Sequence, residues 1–139
     1  MAAKKVTEAL LALDAGSPVV SVAVGPPGSV VAERSIEIRR SSERLVALVD
    51  ECLEEAGVAM PELAGIVALR GPGSFTGLRV GLATALGFHQ ALGLPATTVP
   101  TLDVLALHGA RRLREAGREG PVRIAAVVDA LRGQWFTQL

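Results

Sequence analysis

The chain has 139 residues, enough for one domain with a substantial core and too few for two large ones. Half of the residues are apolar, and the fourteen basic side chains match the fourteen acidic ones. This balance removes the electrostatic case for direct nucleic-acid binding, which rests on counterion release from phosphates. The single cysteine, Cys52, excludes an intramolecular disulfide and points to a reducing compartment.

The N-terminal MAAKKVTEALLALDAG holds only a short apolar run, ends it at Asp14 and lacks a cleavage site, so no signal peptide is expected. Ala9 to Leu13 reads as a first strand, Val19 to Val24 as a second, and Gly25-Pro26-Pro27-Gly28 as the turn into a loosely alternating third, Ser29 to Ile38. Ser42 is placed to cap a helix whose apolar positions, Leu45, Leu48, Val49, Cys52, Leu53 and Ala56, recur at helical spacing until Gly57. Leu63 to Leu69 is the next strand. A glycine-rich loop and a second helix follow, then a short strand at Ala96 to Val99. A third helix, capped by Thr101, runs to about Ala116. Val122 to Val128 and Gln134 to Leu139 are the last strands. Arg111, Arg112, Arg114 and Arg118 form a basic run, but Glu115 and Glu119 interleave with it, as on a solvated helix end.

Antiparallel strands followed by strand–helix–strand crossovers predict an α/β fold: a mixed sheet with helices on its faces. The expected division is an N-terminal lobe over residues 1–118 and the first hairpin of an incomplete second lobe over 119–139. The uncovered closing hairpin suggests that the chain is a fragment or that the native protein continues.

The stretch GPGSFTGLRVGLATALGF, Gly71 to Phe88, carries the main puzzle. Placed at 100° per residue, Leu78, Leu82, Ala85, His89 and Leu92 fall on one side, and Val80, Ala83, Gly87 and Ala91 on the other. Both sides are apolar or small, and Arg79 is the only charge from Phe75 to Leu94. A surface helix shows one apolar stripe and one charged face, so both sides of this helix require cover. Gly77, Gly81 and Ala85 lie four apart, as do Ala83, Gly87 and Ala91, a spacing that admits a closely packed second helix. That helix belongs either to another subunit or to the same chain. The uncharged run from Val80 to Leu102 contains two prolines and several polar residues, and reads as helix, turn and strand, not a membrane span.

Nucleotide and catalytic signals are thin. The loop Gly71-Pro72-Gly73-Ser74 matches neither GxxxxGK[ST] nor GxGxxG, and reads as a tight turn with Ser74 capping the helix. Asp14-Ala15-Gly16-Ser17 is similar to the first phosphate loop of the actin, Hsp70 and sugar-kinase ATPase superfamily, making Asp14 and Gly16 the nucleotide-site candidates. Pro18 removes one amide from that turn, and Asp129-Ala130-Leu131-Arg132-Gly133 departs from the second phosphate loop of that superfamily. His89 and His108 are too far apart for an HxxxH metal pair, and Ser74 lacks a triad setting.

The long run Leu69-Arg70-Gly71-Pro72-Gly73-Ser74-Phe75-Thr76-Gly77-Leu78-Arg79-Val80-Gly81 resembles the TsaB (YeaZ) family of bacterial tRNA threonylcarbamoyladenosine synthesis. LALDAGSPVVSVAV, SSERLVALVDECLEEAG and VVDALRGQWF extend the likeness over nearly the whole chain. The resemblance implies a ribonuclease H-like fold of the ATPase superfamily and a non-catalytic, cytoplasmic scaffold. Its partner is the catalytic paralogue TsaD, which modifies N6 of adenosine 37 in tRNAs reading codons that begin with A. The ATPase TsaE joins through the complex, a homodimer can form through the overlapping surface, and tRNA is met only indirectly. No cofactor is implied on the isolated chain, while the complex leaves room for ATP or ADP with magnesium. The family's first two helices pair with the partner. The expected interface is therefore Leu45, Leu48 and Val49 of the first helix with Leu78, Val80, Gly81, Leu82, Ala83 and Ala85 of the second, and Gly71, Pro72, Gly73, Ser74 and Gly77 form a structural loop. The alternatives are a nucleotide-binding ATPase or metalloprotease-like enzyme of the same superfamily, and a fragment with no independent function.

Overall fold

The computed structural model describes residues 6–37 and 41–139. Seven strands and three α-helices follow in chain order: β1 (Leu10–Asp14), β2 (Val19–Gly25), β3 (Ala32–Glu37), α1 (Ser41–Ala56), β4 (Gly65–Leu69), α2 (Phe75–Leu92), β5 (Ala96–Val99), α3 (Thr101–Glu115), β6 (Ala126–Leu131) and β7 (Gln134–Gln138). A short 3-10 turn, Met60–Glu62, precedes β4.

The first five strands form one mixed sheet in the order β3-β2-β1-β4-β5. β1, β2 and β3 pair antiparallel through short turns. The second of these turns closes with Ser29 N–H donating to Pro26 O at 3.0 Å, and Gly28 supplies its left-handed backbone at φ +84°. β4 and β5 join in parallel, each after a helical crossover. Alternation along the strands sends Leu11, Leu13, Val20, Val22, Val24, Ile66 and Ala68 to one face, all buried.

α1 and α2 cover that face. Leu45, Leu48, Val49, Cys52 and Leu53 of α1 are all buried in the core. The helix ends as the sequence indicates. Gly57 takes φ +64°, and Val58 N–H reaches Leu53 O at 3.1 Å, placing two buried apolar side chains across the stop. Along its exposed edge, Arg34 of β3 pairs with Glu55.

Cys52 packs against β2, where its thiol donates to Val22 O at 3.3 Å. Burial pushes the thiol above its usual value of 9.0. A raised folded value favours the neutral thiol, so its contribution to stability is complete below pH 9 and declines as pH rises through the folded value. The expected result is negligible reaction of native Cys52 with a thiol reagent at pH 8, and rapid reaction in denaturant.

Several boundaries differ from the sequence reading. α1 is assigned from Ser41; the cap expected of Ser42 and Ile38, the expected end of the third strand, lie outside the described residues. α3 begins at Thr101 with Pro100 in the cap position. Thr101 is buried, and its N–H donates to Gly71 O at 2.9 Å, tying α3 to the glycine loop. The sixth strand starts at Ala126 rather than Val122. The β-branched run before it lies beside α3, with Ile124 close to Gly109.

β6 and β7 form a separate two-stranded sheet beyond α3, held to it by Gln138 Nε2 donating to Asp103 Oδ1 at 2.8 Å. Trp135 and Phe136 of this hairpin are exposed. Among the described residues, no helix is long and apolar enough to cross a membrane.

Candidate interaction face

The glycine loop lies directly on the β1–β2 turn. Ser74 N–H donates to Gly16 O at 2.7 Å, and Ser74 Oγ accepts from Gly77 N–H at 3.2 Å, capping α2. A Cβ on Gly73 would stand 2.7 Å from Gly16 O, and one on Gly77 would stand 1.8 Å from Ala15 O. One turn further along, a Cβ on Gly81 would meet Ala15 Cβ at 3.4 Å. Glycine spacing along the start of α2 therefore serves the turn of the same chain, not a foreign helix. Gly71 adopts φ +98° beside Leu78, whose side chain also lies against Gly16.

This contact uses the groups that a phosphate loop would present. Asp14 Oδ1 accepts from Gly16 N–H at 3.0 Å and from Ser17 N–H at 3.1 Å, and Pro18 has no N–H. Asp14 and Gly16 are brought together, but their polar groups are joined to each other and to Ser74. Among the described residues no group of three or more histidine, cysteine, aspartate or glutamate side chains is arranged to hold a metal ion. His89 Nδ1 donates to Leu94 O at 2.7 Å at the end of α2, a structural bond.

The two sides of α2 have different fates. Gly81 and Ala85 are buried, and Leu78, Val80 and Leu82 are half-buried against the core. Phe75, Arg79, Ala83, Leu86, Gly87 and Gln90, spaced by threes and fours, form an exposed stripe. Phe75 is 74% exposed and Leu86 53%. Arg79 is the stripe's one formal charge, and its guanidinium lies 5.4 Å from the Phe75 ring centroid. A Cβ on Gly87 would meet nothing within 4 Å, so that glycine has no packing role inside the chain. α1 packs beside α2 and exposes Val46, 51% accessible, and Ala47 on its outer side.

The structure buries most of the expected interface residues within the chain. Leu45, Leu48 and Val49 are 0–2% exposed under the sheet, and Gly81 and Ala85 are filled by the same chain. A partner could reach them only by opening the core. Of the expected residues, Ala83 alone lies on the open stripe, while Leu78, Val80 and Leu82 stand between stripe and core. Phe75, Leu86 and Val46, which lie exposed on the two helices, are not among the expected residues. On a helical projection Phe75, Ala83 and Leu86 fall within 80° of one another, so the sequence pattern alone places the first and last beside Ala83.

A family model described as "TsaD: tRNA N6-adenosine threonylcarbamoyltransferase" matches residues 27–138. TsaB of Escherichia coli is 33% identical over 127 residues, 91% of this chain and 52% of that protein. YeaZ from Pseudomonas aeruginosa superposes with a TM-score of 0.78 at 35% identity, over 93% of this chain and 58% of that one. The chain belongs to the TsaB/YeaZ family. It spans about half the length of the curated TsaB relatives it matches. Component A of the (R)-2-hydroxyglutaryl-CoA dehydratase from Acidaminococcus fermentans, at 15% identity and a TM-score of 0.53, shares the fold alone. The five-stranded sheet with its crossover helices thus has the expected ribonuclease H-like α/β architecture.

Proposed function

We propose that this chain is a non-catalytic pairing subunit in tRNA threonylcarbamoyladenosine biosynthesis, acting in the cytoplasm. Its partner is the catalytic paralogue TsaD, the transferase acting on N6 of adenosine 37 in tRNAs reading codons that begin with A. Relatives named TsaB support the pathway. The observation that carries the pairing role is the exposed, nearly uncharged stripe of α2 from Phe75 to Gln90.

Pairing through such a stripe has a simple physical basis. Phe75 and Leu86 supply apolar area, worth about 25 cal/mol per Å² removed from water. Ala83 and Gly87 between them let a second helix come close. A glycine inside a helix costs about 1 kcal/mol relative to alanine, and close packing against a partner would offset that cost at Gly87. A second copy of this chain would use the overlapping surface in a homodimer. TsaE joins through TsaD, and tRNA is held by the complex.

No observation favours the ATPase or protease reading. The Gly16 and Ser17 amides already serve Asp14, so phosphate binding would require breaking both bonds. ATP or ADP with magnesium belongs, in this proposal, to the assembled complex. Co-expression with the TsaD paralogue tests the role. The two should elute together in equal amounts from affinity and size-exclusion columns. Separate elution, or tight Mg-ATP binding by the isolated chain in calorimetry, would overturn it.

A further inference from the structure

The open stripe of α2 carries one formal charge, and that charge lies on its centre line. At 100° per residue, Phe75, Leu86, Arg79, Gln90 and Ala83 follow in that order across about 80°, with Arg79 midway. Phe75 stands one turn before it and Ala83 one turn after. From Phe75 to Leu94 no other formal charge of either sign occurs. A cation at the middle of an apolar face is out of place unless another group answers it.

The guanidinium is positioned but not satisfied. It lies over the Phe75 ring, 5.4 Å from the centroid, which holds it above the stripe. Among the described residues it meets neither a carboxylate nor a hydrogen-bond acceptor. A guanidinium has five N–H donors, and a contact with a ring face leaves those at its edge free. Arg79 is exposed, so water serves them in the isolated chain. A helix laid along the stripe removes that water. Burying an unanswered guanidinium is strongly unfavourable, whereas a carboxylate matched to its fork neutralises the charge and accepts two hydrogen bonds. α1 exposes carboxylates, Asp50 among them, but none pairs with Arg79 within the chain.

Resting on the pairing role argued above, we propose that Arg79 selects the partner: the helix that covers the α2 stripe is apolar but carries one aspartate or glutamate, seated against the Arg79 guanidinium. A second copy of this chain brings to the stripe another Arg79 and no acid, so self-pairing along α2 leaves both guanidinium groups unanswered. One residue thus favours the paralogue and works against the homodimer. Phe75 holds the guanidinium in place before the partner arrives, which lowers the cost of ordering it.

The test compares the unmodified chain with Arg79→Met, Arg79→Lys and Ala83→Glu. Calorimetry reads the affinity of each for the TsaD paralogue, and light scattering reads self-association. Methionine keeps an apolar stem and removes the charge. Arg79→Met should weaken binding to the paralogue about thirtyfold or more, with an unchanged urea midpoint because Arg79 is exposed. Arg79→Lys should recover part of that loss, since it restores the charge without the fork. Self-association of Arg79→Met should be as tight as that of the unmodified chain, or tighter. The proposal is overturned if Arg79→Met binds the paralogue within about threefold of the unmodified chain, the size of an exposed ion pair. It is equally overturned if binding to the paralogue and self-association weaken alike, because a second copy, through an acid such as Asp50, would then supply the carboxylate. Ala83→Glu tells the two failures apart. If the unmodified chain does not bind the paralogue, or Ala83→Glu binds as well as it does, the stripe is not the pairing surface and this inference falls with it. If Ala83→Glu loses binding while Arg79→Met keeps it, the pairing surface stands and only the partner's carboxylate is refuted.

Discussion

Gly77→Ala should destabilise the chain by about 3 kcal/mol or more, at the upper end of what overpacking costs. The added methyl would stand 1.8 Å from Ala15 O and 2.9 Å from Ala15 C. Both are backbone atoms of the turn that follows the central strand, so neither can rotate away. Relief would require α2 to move off β1, breaking the Ser74–Gly16 hydrogen bond and opening the core around Ala85. Against a total stability of roughly 5–15 kcal/mol, that loss is a large fraction. Urea unfolding should show a midpoint lower by about 1–3 M, at the slopes usual for small domains. Two neighbours give the contrast. Gly81→Ala meets Ala15 Cβ at 3.4 Å and should be close to neutral, because the helix gains propensity as it loses a little space. Gly87→Ala meets nothing and should stabilise the isolated chain by about 1 kcal/mol. Equal effects at all three positions would contradict the seating of α2 on the turn.

Ala83→Glu should abolish pairing while leaving the isolated chain folded. Ala83 is exposed on α2, so a carboxylate there is solvated in the free chain. In the pair it would be buried against an apolar surface, with Arg79 as the only cation on the stripe, one turn away. Breaking or frustrating a desolvated charge costs about 2–5 kcal/mol, which is on the order of a hundredfold in Kd or more. Light scattering should report free subunits at concentrations where the unmodified chain pairs, with an unchanged urea midpoint. Leu48→Ala should show the opposite signature. Leu48 is 2% exposed, so its truncation should cost about 2–5 kcal/mol of stability and affect pairing only through unfolding.

The order of elements was legible because local signals agreed with packing. Val20, Val22 and Val24 alternate against Ser21 and Ala23, and Gly57 stops a helix whose apolar stripe ends beside it. The start of β6 was misjudged because β-branched residues from Val122 suit a half-buried strand and an apolar contact beside α3 equally well. Thr101 resembled a cap because its hydroxyl could serve one, whereas its backbone N–H is the group engaged, on Gly71.

The candidate face was only half legible. Absence of charge around α2 suggested cover on both sides; the structure covers one side within the chain and leaves Phe75, Ala83 and Leu86 exposed, and periodicity cannot say what lies against each side. The Gly77–Gly81–Ala85 spacing resembled a helix–helix seam. Its two glycines instead face Ala15 and Gly16, more than sixty residues away in sequence, a contact no local pattern encodes. Leu45, Leu48 and Val49 were assigned to a partner because an apolar stripe reads the same whether it meets a sheet or another chain. The helices named for pairing were α1 and α2, and their outer residues, Val46, Phe75, Ala83 and Leu86, are the ones left open.

The most direct measurement is thiol protection at Ala83→Cys in the complex with the TsaD paralogue. Native Cys52 is buried, so the introduced thiol is the reporter, and Thr97→Cys on exposed β5 is the control. Ala83→Cys should react freely in the isolated chain and lose at least nine-tenths of its reactivity once the partner is bound, with Thr97→Cys unaffected. A complex in which Ala83→Cys still reacts at its free rate would show that the α2 stripe is not the surface by which this chain pairs.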